Sequence, residues 1–101
     1  GPVLAADDVA YRGVRLPREH WKVICYVDAG RLEARAFLLS QGLDRLEGFD
    51  LARFRTYQIT LSLLTARTGV RFDPRLVDRA EAALPLRQRA IPLLRAADIR
   101  W

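Results

Sequence analysis

Trp21-Lys22-Val23-Ile24-Cys25-Tyr26-Val27-Asp28-Ala29-Gly30 decides the fold class, because it admits two readings. The run is rich in β-formers and ends in Asp-Ala-Gly, a turn signal, which reads as a strand over about 21–27. At 100° per residue, however, Trp21, Cys25, Leu32, Ala36 and Leu39 fall on one stripe. Gly42 then sits where a left-handed C-terminal cap belongs. Gly30 costs such a helix about 1 kcal/mol. The stripe runs unbroken through both halves, so the expectation is a helix over about 18–41. The fallback is a short strand near 21–27 followed by a helix capped at Asp28.

Downstream, Asp50 is a good N-cap, and Phe49 and Phe54 occupy the positions of a hydrophobic staple. Gly69 supplies a stop, with Val70 positioned to fold back on Leu64, giving a helix of about 51–68. Asp73-Pro74 opens a short helix running to about Ala83 and stopped by Pro85. A last helix is expected over about 86–98, with Leu86, Ala90, Leu93, Leu94 and Ala97 on one stripe and a kink at Pro92. These elements predict an all-α protein, a small bundle of about four helices formed by a single domain over 18–101. Residues 1–17 lack periodicity and read as a mobile arm, with Gly1-Pro2 as a protease-cleavage scar.

Composition narrows the function. The 101 residues carry 17 Lys+Arg against 12 Asp+Glu, a net charge of +5, and Lys22 is the one lysine among Arg residues spread from Arg12 to Arg100. A nucleic-acid binder normally clusters its cations on one face, and here acids are interleaved. No apolar run approaches the ~18 residues of a membrane span. With a single cysteine, Cys25, no internal disulfide forms, and a cytoplasmic home is expected. Cys25 lies on the core-facing stripe, where a thiol behaves as a small hydrophobe. The sole histidine, His20, has no second imidazole or thiolate partner, so neither a metal nor a cofactor is expected. Asp7-Asp8 sits in the arm, where acid–base geometry is not held. Phosphate-loop, zinc-protease and serine-hydrolase signatures are absent from the sequence, and a non-enzyme is expected.

Thr65-Ala66-Arg67-Thr68-Gly69-Val70 followed by Asp73-Pro74-Arg75-Leu76-Val77-Asp78-Arg79 has the flavour of a helix-turn-helix near 64–84. Arg75 takes an expected apolar place, and Asp73, Asp78 and Glu81 on the second helix oppose phosphate. A DNA-binding transcriptional regulator is therefore the alternative, and nucleic acid is not the expected partner.

The expected helix 51–68 carries two apolar stripes. Phe54, Tyr57, Leu61 and Leu64 form one; Ala52, Ile59, Leu63 and Ala66 form the other. The first segment repeats this, with Phe37 and Leu38 on a second arc. Two stripes mean a sandwiched helix, and a face completed by another chain is the sharper explanation. Ala52, Ile59, Leu63, Ala66, Phe37 and Leu38 are the candidate interface, and a homodimer is the expected assembly.

Glu19-His20-Trp21-Lys22-Val23-Ile24-Cys25-Tyr26-Val27-Asp28-Ala29-Gly30-Arg31-Leu32, with the Arg/Leu-rich segments after it, resembles the small Pseudomonas quorum-sensing antiactivators that restrain LuxR-type transcription factors. The resemblance lies in size, helical build and texture over 18–101. It implies a protein-binding regulatory module that sequesters such a transcription factor by covering its dimerisation surface.

Overall fold

The computed structural model describes residues 1–3, 9–11, 14–16, 19–41 and 54–101. Its centre is a hairpin. β4 (Glu19–Asp28) pairs antiparallel with β5 (Arg31–Gln41), from Glu19 opposite Ser40 to Asp28 opposite Arg31. The two-residue loop has positive φ at both positions, 51° at Ala29 and 76° at Gly30. That is the geometry whose twist matches flanking strands, and glycine adopts it without strain. On the far side of β5, β6 (Phe54–Ile59) pairs from Gln41–Phe54 to Ala36–Ile59. β7 (Ala90–Leu93) adds to β6, and β1 (Pro2–Val3) adds to the start of β4. The five strands run β1-β4-β5-β6-β7, all antiparallel. β2 (Val9–Tyr11) and β3 (Val14–Leu16) form a separate two-stranded sheet.

Two helices follow β6. α1 (Leu61–Thr68) is capped by Thr60, whose hydroxyl accepts from the Leu63 N–H at 3.1 Å. It ends at Gly69 with φ 74°, the left-handed cap expected from the sequence. α2 (Pro74–Ala82) starts as expected, with Asp73 accepting from the Arg75 N–H and Pro at the first turn. One face of the sheet supplies Ala34, Ala36 and Leu38 of β5 and Ile59 of β6. Leu61, Leu64 and Ala80 of the helices are buried with them in one core cluster. Three alanines, two on β5 and one on α2, are almost fully buried; such small side chains let a helix backbone approach a sheet closely. Phe72 closes one end edge-on against Trp21, with ring centroids 6.3 Å apart.

The all-α expectation is overturned. Residues 18–41 are not a helix, and the fallback was right only for its first half: a strand does cover 21–27, but β5 rather than a helix follows Asp28. The stripe of Trp21, Cys25 and Leu39 mixed residues from both faces of a hairpin. The expected helix 51–68 is a strand up to Ile59 and a helix only from Leu61. Its two opposed stripes arose because a period-2 segment was read at a period of 3.6. Residues 51–53, and with Gly42 the Phe49 and Asp50 signals, lie outside the described residues. The last helix is absent too. Leu86 and Leu94, 90% and 93% exposed, stand on no buried stripe. Pro92 sits on β7, an edge strand of the sheet, where its missing N–H breaks no ladder. The segment expected to be an arm contributes β1, and the Gly1 nitrogen and carbonyl both bond to the Trp21 main chain at 2.7 Å.

Two substitutions check the turn and the cap by urea denaturation. Asn tolerates the left-handed region better than Ala, so Ala29→Asn should raise stability by about 0.5–1 kcal/mol. Thr60→Ala, which orphans the Leu63 N–H, should lower it by about 1 kcal/mol. A destabilising Ala29→Asn would contradict the turn described.

Candidate protein-binding cleft

The residues after α2 form the second wall of a cleft. Leu84 and Gln88 close turns onto Glu81 and Pro85, and Arg87 takes φ 67°, left-handed for a non-glycine residue. The Arg89 carbonyl accepts from the Thr60 N–H at 2.9 Å, continuing the β6–β7 pairing to the start of α1. Between this turn and α1 lies a cleft of about 530 Å³. Leu63 and Ala66 offer apolar surface in it, and Thr60, Ser62, Glu81, Arg87, Gln88 and Arg89 complete the lining. Two guanidinium groups, an amide, two hydroxyls and a carboxylate around apolar carbon match the composition of an interaction patch, apolar within and polar at the rim. A non-glycine residue held left-handed costs about 1–2 kcal/mol, and such positions gather at ligand clamps.

The opposite face of the sheet holds a second polar constellation. Glu33 and Arg35, alternating with the core alanines of β5, are buried. Arg79 of α2 clasps the Glu33 carboxylate with Nε and Nη2, the latter at 3.1 Å, and Arg35 Nη2 donates to the same group at 3.3 Å. The Arg79 hydrogen bonds, reinforced by Arg35, hold the Glu33 carboxyl below the usual carboxylate range. Arg35 also donates through Nη1 to the carbonyls of Ala34 and Arg79, at 2.7 and 3.3 Å. Its remaining donors reach the main chain of Arg100 and Trp101. Gln58, likewise buried, pairs with Arg100 like a strand neighbour: Nε2 donates to its carbonyl at 2.7 Å and Oε1 accepts from its N–H at 2.8 Å. The Trp101 ring packs edge-on against Tyr26 and Phe37, with centroids 5.8 and 6.5 Å away.

The six interface candidates separate. Leu63 and Ala66 share the cleft. Ile59 and Leu38 are buried in the chain's own core, and Phe37 lies on the opposite face beside Trp101. Ala52 is outside the described residues. Reading 86–98 as a helix hid Arg87, Gln88 and Arg89. Cys25 is also corrected: it lies on the core-side face of β4, opposite Ala34, but is exposed rather than buried. The helix-turn-helix candidate is a real helix pair, but Leu76, Val77 and Ala80 of α2 pack toward the core cluster. Arg75 is engaged by Asp73, and Asp78 and Glu81 are exposed beside it. Among the described residues, no group of three His, Cys, Asp or Glu side chains is arranged to hold a metal ion. No described helix is long and apolar enough to cross a membrane.

No protein-family model, curated protein or solved structure matches the chain.

The buried ion cluster makes stability depend on acid. Because the Glu33 pKa is lowered on folding, its contribution is complete above the unfolded carboxylate value, about 4.3, and is lost as pH falls through the lower folded value. Glu33→Gln should therefore be less stable than wild type at neutral pH and lose less of its stability on acidification. Melts between neutral and acidic pH check this; parallel curves for the two proteins would contradict it. Gln58→Leu, which leaves the Arg100 N–H unpaired and its carbonyl with Arg35 Nε alone, should cost about 1–3 kcal/mol in the same melts.

Proposed function

We propose that this chain is a protein-binding regulatory module, not an enzyme, and that the α1 cleft takes an apolar side chain from an acidic segment of its partner. One observation carries the proposal: Leu63 and Ala66, singled out from the sequence as interface residues, line one cleft with Arg87 and Arg89. An anionic partner segment gains from the two guanidinium groups, which outnumber the single carboxylate, Glu81, in the lining. The net charge of +5 adds long-range steering toward an acidic partner. A cytoplasmic setting suits the lone free cysteine.

LuxR-type transcription factors are the partner class suggested by the resemblance. Its helical component does not survive the sheet fold, so the cleft residues carry the proposal. Duplex DNA is the rival ligand. The acidic outer residues of α2, Asp78 and Glu81, speak against it.

Ala66→Glu separates the outcomes. Ala66 is exposed and glutamate is a good helix former, so the melting temperature should stay within about 2–4 °C of wild type. A carboxylate in the cleft should weaken capture of an acyl-homoserine-lactone receptor ligand-binding domain, or of another acidic partner, roughly tenfold or more. Unchanged partner binding by this variant would overturn the proposal. Salt-sensitive, Arg75-dependent binding to duplex DNA would replace it with the rival.

A further inference from the structure

Among the described residues, β4 is open along most of one side. β1 pairs with Glu19 and His20 and bonds to the Trp21 main chain, and among the described residues no strand lies beside Lys22–Asp28 on that side. The Trp21 N–H and carbonyl both point to the β1 side. Main-chain direction alternates along a strand, so Val23, Cys25 and Val27 present their N–H and carbonyl groups to the same open edge. Unpaired edges of this kind accept another strand unless they are blocked. Here the edge carries Val27, 70% exposed, whose neighbour on β5 is Leu32, another exposed apolar residue.

The sequence of the edge is self-complementary. We propose that two copies of this chain pair antiparallel through β4, about a two-fold axis at Cys25, joining their sheets into one. Cys25 is the midpoint of Lys22–Asp28, so this register uses the whole open stretch on both chains. It sets Lys22 opposite the second copy's Asp28 at both ends and Val23 opposite Val27 on one face. On the other face it sets Ile24 opposite Tyr26. Val23, Cys25 and Val27 then exchange hydrogen bonds with the second copy in full. A shift by two residues in either direction removes the Lys22–Asp28 pairing, so cross-strand charge selects the register. The two Cys25 residues become a directly opposed pair with Cα atoms about 5.5 Å apart. The surface is distinct from the α1 cleft, and an isologous contact of this kind closes at two copies.

Sedimentation of the full chain tests the proposal, with charge reversal as the control. Wild type should sediment as a dimer, and a short thiol-bridging reagent should join the copies through Cys25. Lys22→Glu puts like charges opposite each other twice and should weaken the dimer roughly tenfold or more. Lys22→Glu combined with Asp28→Lys restores opposite charges and should recover it. Cys25→Pro removes an outward-pointing N–H, which an edge strand tolerates, and should give a folded monomer. A wild-type monomer at millimolar concentration would overturn the proposal. So would a dimer indifferent to Lys22→Glu, or one that the double reversal fails to rescue.

Discussion

β5 has neighbours on almost every side, and the rest of the molecule follows from satisfying them. Its backbone pairs with β4 from Arg31 to Ser40 and with β6 from Ala36 onward. Before Ala36, on the stretch that β6 does not reach, α2 packs along it. Ala34 and Ala36 admit Ala80 and its helix at close range. The intervening Glu33 and Arg35 meet Arg79 and the Arg100–Trp101 main chain. A buried carboxylate without those guanidinium groups would be costly to desolvate. Strand pairing, helix docking and the polar cluster are therefore coupled through one eleven-residue strand.

That coupling explains what could be read in the sequence. Local chemistry sufficed where geometry is local: Asp73-Pro74 did start a helix and Gly69 did end one. The β-rich run at 21–27 also carried its own signal, including the turn at Asp28-Ala29-Gly30. It was outweighed by the apparent helical stripe that continued through Leu32, Ala36 and Leu39. In β5 those residues are extended because partners on both edges and both faces reward a strand, and tertiary context overrides propensity. With both faces buried, the polar/apolar alternation that would mark a strand is blurred. Phe54–Ile59 failed for a related reason: a short strand running directly into a helix leaves one continuous apolar pattern with two different periods.

The candidate cleft was half legible. Leu63 and Ala66 stood out as a second apolar stripe, and Leu63 reaches both the cleft and the edge of the core cluster. Arg87, Gln88 and Arg89 did not, because a turn held by a left-handed arginine leaves no composition signal. Ile59 and Leu38 were misassigned because an apolar residue destined for a chain's own core looks the same in sequence as one destined for a partner. The guanidinium-lined cleft and the open β4 edge lie on different elements, so partner capture and self-association draw on separate residues.

Proton-detected NMR of the isotopically labelled chain tests the β5-centred sheet most directly. Cross-strand contacts should link Cys25 with Ala34 and Ala36 with Ile59, and the Ala36–Leu38 amides should be among the slowest to exchange. Sequential amide contacts and helical chemical shifts running through residues 21–41, without those cross-strand contacts, would contradict the account.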